Sequence, residues 1–253
     1  ADDAVNYRLA DGKRYKDEVL TELKDSLAID HKKDLNAVEL TKYKPARKTA
    51  SASLRDRIAV VYAVGEIGPG EGNDDRIGSE RISRELRKVR RDDKVKAVVF
   101  RINSPGGSAL ASDVIWREVD LLRREKPVIV SMGDVAASGG YYIAAAADSI
   151  FAQPNTITGS IGVFGVIPNM QGLMNDKLGI TFDEVKTGKY ADFLANVDRP
   201  LTADERAILQ MEVNRIYDTF VQRVADGRHL SVAAVDSIGQ GRVWSGTQAL
   251  ANA

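Results

Sequence analysis

One serine, Ser138, stands in the stretch MGDVAASGGYY (residues 132–142), enclosed by Ala136, Ala137, Gly139 and Gly140. Small neighbours let another backbone approach, and glycine permits a tight turn that presents a hydroxyl at a helix start. A helix N-terminus also offers unpaired N–H groups to a developing negative charge. These are the needs of a nucleophilic serine, although a strand–Gly/Ser–helix joint also serves as an ordinary connector. About thirty residues earlier, Asn103-Ser104-Pro105-Gly106-Gly107-Ser108 follows another apolar run. A Pro-Gly-Gly turn leaves N–H groups bare of side-chain cover, the material of an oxyanion hole.

A serine hydroxyl needs a base. For a histidine triad the chain offers His31, in the N-terminal segment, and His229, which follows Gly227 at an expected helix exit. They form no His-x-x-x-His pair, and cysteine is absent, so neither a metal site nor a disulfide framework is expected. Lys186 and Lys189, in Lys186-Thr187-Gly188-Lys189-Tyr190-Ala191-Asp192, are alternative bases, but charged residues flanking a turn are normally solvated. The glycines of GEIGPGEGNDD (65–75) are not spaced as a phosphate loop and read as a flexible connector. No cofactor is expected.

The elements that must position these residues follow from periodicity. Ile58–Val64 and residues 95–102 read as strands, as does Pro127–Ser131 ahead of Ser138, with residues 149–153 and 161–167 as further strands. Ser79 is placed to cap a helix with Ile82, Leu86 and Val89 inward, and the basic cluster Arg87, Lys88, Arg90 and Arg91 reads as its solvated C-terminal end. Helix 108–124 would turn Leu110, Val114, Ile115, Val119 and Leu122 inward, with Trp116 in packing. Thr202 and Glu205 form a capping box for a long helix with Leu209, Val213, Ile216, Phe220 and Val224 inward, ended by Gly227. Before all of these, Tyr15, Val19, Leu23 and Leu27 mark an amphipathic helix, Val38, Leu40 and Tyr43 a short strand, and residues 44–57 a polar linker. Alternating strands and helices imply an α/β domain with a mostly parallel sheet.

At 253 residues the chain can bury a substantial core. Lys+Arg and Asp+Glu balance at 36 each, so net charge gives no reason to expect nucleic acid as a partner. No apolar run reaches the roughly 18 residues of a membrane span, and the sequence, which starts at Ala1 and not at Met, contains no signal-peptide pattern.

INSPGG, MGDVAASGGYY and TGSIGVFG (158–165), in that order, resemble the signal peptide peptidase A (protease IV) family, from about Ile58 to the last residue. These are membrane-bound serine peptidases that share a fold with Clp protease and the crotonases. The resemblance implies a Clp protease/crotonase-like fold of repeated strand-strand-helix units. Residues 58–253 would be the nucleophile-bearing domain, and residues 1–57 the tail of a preceding repeat plus linker. The family continues past GRVWSGTQALANA, which implies C-terminal truncation. Carried over by motif, Ser138 is the nucleophile, Gly107 and Gly139 the oxyanion donors, and Ser160 the supporting hydroxyl of a Ser-Lys dyad. Single-copy relatives place the lysine where this chain has Ala191; two-copy relatives draw it from the first copy, so this chain alone would lack its base. The family further implies peptide substrates (cleaved signal peptides), a homo-oligomer (tetramer), and the extracytoplasmic face of a bacterial membrane. A crotonase-type acyl-CoA enzyme and a non-catalytic scaffold module are the rival readings. Residues 132–147 hold only one carboxylate for crotonase chemistry, Asp134.

Overall fold

Valine- and isoleucine-rich runs separated by helix-period segments build most of the chain. The computed structural model describes residues 5–9, 11, 12, 14, 16–31, 33, 35, 56–193 and 197–252. It divides into two units, Ala1–Ser53 and Leu54–Ala253. The first shows a helix, α1 (Lys16–Ser26), at the amphipathic stretch, with Val19, Leu23 and Leu27 exposed. The strand expected at Val38, Leu40 and Tyr43, and nearly all of the linker, lie outside the described residues.

The second unit begins with β1 (Arg57–Val64), β2 (Glu66–Gly68), β3 (Gly72–Asn73), β4 (Arg76–Gly78) and α2 (Ser79–Arg91). Next come β5 (Val95–Ser104), α3 (Ala109–Arg123), β6 (Val128–Ala137) and α4 (Gly139–Ala144), the last two joined through Ser138. The chain continues through β7 (Ser149–Phe151), β8 (Ile157–Gly159), a wide π-type helix α5 (Gly172–Leu178) and the long α6 (Ala203–Arg228). It closes with α7 (Val232–Ile238), β9 (Val243–Ser245) and α8 (Gly246–Ala251). The main sheet runs β1-β5-β6-β8-β9, with β7 also on β6; every pairing is parallel except β8–β9. This is the expected α/β class with a mostly parallel sheet.

Val98, Phe100 and Ile102 of β5, Val130 of β6, Leu86 of α2 and Ile115, Val119 and Leu122 of α3 are all fully buried in one core. Removing such a side chain from water contributes about 1.5–3 kcal/mol each. Parallel strands end their hydrogen-bonded runs at one edge of the sheet. The turns after β5 and β6, which carry Gly106–Gly107 and Ser138, therefore emerge side by side.

Several expectations are corrected. Residues 65–75 are no flexible connector: they contribute to a small sheet, β2-β4-β3, pinned by Ile67 and Ile77, each 1 % exposed. Gly78 holds the N-cap of α2 because β4 runs up to it, and Ser79 is buried as the first helical residue. The inward face of α3 is turned toward Ala111, Ile115, Val119 and Leu122, which leaves Leu110 and Val114 exposed. Arg87 reaches across to Glu118 of α3 at 2.5 Å, and Arg90 to Glu125, just past its end, at 2.7 Å. Residues 161–167 form no strand: Ile161 is buried, but Phe164 and Val166 face solvent, and β9 already occupies the free edge of β8. Gly227 does not end α6, since His229 takes the C-cap at φ 59°. Glycine is needed there for another reason: a Cβ would lie 2.1 Å from the Ala145 carbonyl oxygen. Leu209, Val213 and Ile216 are only half-buried, because the C-terminal half of α6 alone packs on the core, Phe220 against Tyr142 with ring centroids 4.7 Å apart. Among the described residues no helix is long and apolar enough to cross a membrane.

The capping box of α6 is present and carries a titratable load. Thr202 caps Glu205, and Glu205 returns a bond to the Thr202 amide at 2.8 Å. Arg199 bridges Glu205 at 2.7 Å and Asp192 at 2.5 Å. The Arg199 hydrogen bonds, then the Thr202 amide, lower the buried Glu205 carboxyl from 4.5 to about 2. Its folded value lies below its unfolded one, so its contribution is complete above pH 4.5 and is lost as pH falls toward 2. Glu205→Gln should thus lower the melting temperature at neutral pH, and its gap from wild type should narrow through that acid window. Parallel melting curves across the window would refute this.

Candidate active site

Ser138 is the joint between β6 and α4. Its backbone sits at φ 51°, ψ −121°, a conformation non-glycine residues seldom adopt and one that aims the side chain outward from a strand–helix turn. Two hydrogen bonds hold it there: its amide donates to the Gly159 carbonyl at 3.0 Å, and its carbonyl accepts from the Tyr142 amide at 2.9 Å. The hydroxyl does not cap α4, so the helix makes no claim on it.

The hydroxyl borders a cleft of about 510 Å³ whose lining includes Gly106, Gly107, Ser138, Gly139 and Ser160. The two glycine turns touch. A Cβ on Gly106 would lie 2.7 Å from the Gly139 nitrogen and 2.9 Å from the Ser138 Cβ, so only glycine allows this approach. Gly107 lies opposite Ile67 of β2. Ile67 donates to the Gly106 carbonyl at 2.8 Å and accepts from the Ser108 amide at 2.9 Å. That pairing uses the groups on either side of Gly107 and leaves its own N–H on the side away from β2. Gly139 is the first residue of α4, where amides have no intrahelical acceptor. Ser160 borders the cleft at φ 49°, its amide donating to the Arg242 carbonyl at 2.7 Å.

The walls were harder to foresee. Ile216 and Phe220, one turn apart on α6, form an apolar side together with Tyr142 and Phe164. Their helical spacing marked Ile216 and Phe220 as inward-facing, but nothing local said what they face. Ser112 also lines the cleft, its hydroxyl donating to the Ser108 carbonyl at 2.9 Å. The only local sign of that bond is the i, i+4 spacing of the two serines.

The two lysines are not brought to the cleft. Lys186 pairs with Glu184 at 2.5 Å and Asp192 at 2.8 Å, and hydrogen bonds first to Asp192 and then to Glu184 raise its pKa. Lys189 pairs with Asp204 at 2.6 Å, and that hydrogen bond is the main cause of its raised pKa. An amine held protonated is the opposite of a general base. Ala191, where single-copy relatives place the lysine, is exposed and outside the cleft lining. Among the described residues lining the cleft, the ionisable ones are Glu66 and Tyr142. Burial, then donation to Asp113 at 2.7 Å, raises the Tyr142 phenol, which stays neutral.

A mostly parallel α/β sheet with a strained serine and a glycine turn in one cleft defines a Clp protease-like domain, and the Clp protease profile matches residues 51–158. The profile of peptidase family S49 matches residues 120–253, and the chain belongs to that family. It is 41 % identical over 242 residues to the chloroplastic serine protease SPPA of Arabidopsis thaliana, covering 93 % of this chain and 36 % of that protein. Identity to Protease 4 of Haemophilus influenzae is 45 % over 201 residues, covering 79 % and 32 %. Protease 4 of Salmonella typhi is 42 % identical over 196 residues, covering 77 % and 31 %. The chain thus spans about a third of the length of these relatives.

Proposed function

We propose that this chain carries the nucleophile of a serine peptidase that cleaves extended, apolar peptides, remnant signal peptides among them. Ser138 attacks the peptide carbonyl, an acyl-enzyme forms as the amine leaves, and water releases the acid. The Gly107 and Gly139 amides receive the oxyanion, and Ser160 supports the base and water. The observation that carries this reading is the contact between the Gly106–Gly107 turn and Ser138–Gly139 beside an open cleft. Apolar side chains from α4 and α6 along that cleft suit an extended substrate.

The base in this reading is a lysine from another copy of the domain, completing a Ser-Lys dyad in a homo-oligomeric assembly at a bacterial membrane, extracytoplasmic side. Lowering a lysine from about 10.4 toward 7 costs on the order of 4–5 kcal/mol, which only a buried site imposes. The carboxylate-paired Lys186 and Lys189 have the reverse setting.

The chain by itself is therefore expected to be nearly inert toward a short apolar peptide ester and slow with serine-directed phosphonates, and not to bind acyl-CoA. Adding the lysine-bearing copy should raise hydrolysis at least 100-fold, about the lower range of what a positioned base supplies. Full activity of the chain alone would overturn the supplied-base reading, and saturable acyl-CoA binding would favour the crotonase-type one.

A further inference from the structure

Strands β5 and β6 run in step up to Ile102 opposite Met132, and pair again at Ser104 opposite Ala136. Between these points β6 holds two more residues than β5, so Gly133, Asp134 and Val135 stand opposite Asn103 alone. Had the first register continued, Ser138 would project two residues, about 6.6 Å, past the level of Gly106. The insertion draws it back level. Being even in number, it leaves the inward and outward faces of β6 unchanged.

Such a bulge takes backbone groups off the ladder, and each needs a partner. Here side chains supply partners for two of them. Asn103 Oδ1 accepts from the Val135 amide at 3.1 Å. Thr156 Oγ1 donates to the Gly133 carbonyl at 2.8 Å, and at the point where pairing with β5 resumes Thr158 Oγ1 donates to the Ala136 carbonyl at 2.8 Å. Both threonines are 1 % exposed, so water cannot replace them. Gly133 lies so close that a Cβ there would meet the Asn103 side chain at 2.9 Å.

We propose that Asn103, Thr156 and Thr158 are positioning residues that lock this bulge and thereby hold Ser138 against the Gly106–Gly107 turn. The proposal rests on Ser138 being the nucleophile. A displacement of about 1 Å at a reacting group costs up to about 100-fold in rate, and loosening a two-residue bulge permits shifts of that size.

The test compares Thr158→Val, which keeps the shape and removes the hydroxyl, with Thr158→Ser, which keeps the hydroxyl. Asn103→Leu and Asn103→Asp form the parallel pair, and Leu122→Ala serves as a core variant of similar thermal loss. With a peptide ester and the intact protein, Thr158→Val and Asn103→Leu should lower kcat by about 10–100-fold with KM within about twofold. Thr158→Ser and Asn103→Asp should recover most of it, and Leu122→Ala should keep its kcat. The proposal is overturned by a folded Thr158→Val with wild-type kcat, by Thr158→Ser no better than Thr158→Val, or by an equal kcat loss in Leu122→Ala. If Asn103→Leu does not fold, the Thr158 pair decides. Ser138→Ala separates the two levels. An active Ser138→Ala removes the nucleophile assignment and this proposal with it, whereas an inactive one beside an unimpaired Thr158→Val removes the bulge lock alone.

Discussion

Ser138→Ala in the intact protein is expected to abolish peptide hydrolysis, by more than about 10³-fold, with the melting temperature almost unchanged. The rate falls because nothing else in the cleft combines a free hydroxyl with the joint between β6 and α4. Stability holds for two reasons. The Ser138 hydroxyl caps nothing, and alanine meets the same backbone strain at φ 51° that serine already bears. The bonds that fix the turn, from the Ser138 amide to Gly159 and from Tyr142 to the Ser138 carbonyl, are backbone bonds and survive the substitution. Hydrolysis of a peptide ester and thermal melting, measured side by side, check both halves. Residual activity above a few per cent would end the assignment of Ser138.

Gly139→Ala should be nearly as damaging, through geometry and not through loss of a functional group. An added Cβ would lie 2.5 Å from the Ser112 Oγ, 3.2 Å from the Gly106 Cα and 3.3 Å from the Gly107 nitrogen. The methyl group is therefore a wedge between the two turns, and it pushes apart the two amides assigned to the oxyanion. Loss of one such donor typically costs about 10²–10³ in kcat, and that is the expected fall. Because the tightest clash is with a side-chain atom, it can be relieved. Gly139→Ala combined with Ser112→Ala should regain about tenfold over Gly139→Ala alone, judged against the Ser112→Ala reference, the remaining approaches above 3 Å needing only small shifts. A Gly139→Ala protein with wild-type kcat would show that the two turns do not act together. A double variant no better than the single one would show that the wedge works through some other contact.

Much of the frame was legible because its causes are local. Runs rich in branched residues at 58–64, 95–102 and 127–131 became β1, β5 and β6, and the Thr202–Glu205 box became the start of α6. Glycines around Ser138 and after Pro105 marked the two turns, since a chain that must turn sharply or admit another backbone needs residues without a Cβ at those positions. Parallel strands of similar length then put both turns at one edge of the sheet, which follows from topology once the strands are known.

What no local pattern carried was set by partners distant in the chain. The strand character of 65–75 depends on Ile67 and Ile77 finding the core, and the failure of 161–167 as a strand depends on β9 taking the edge of β8. Lys186 and Lys189 look like candidate bases in a turn until Asp192 and Asp204 are found beside them. The bulge in β6 is invisible in MGDVAAS, because a register is a relation between two strands, and its stabilising groups come from Asn103, Thr156 and Thr158. Sequence by itself determined which residue types could do the chemistry and which turns could hold them. Tertiary structure alone decided how far along β6 the serine stands and which apolar side chains face it. Those depend on pairings between segments 20 to 80 residues apart, such as Gly133 with Thr156 and Tyr142 with Phe220, which periodicity within one segment does not encode.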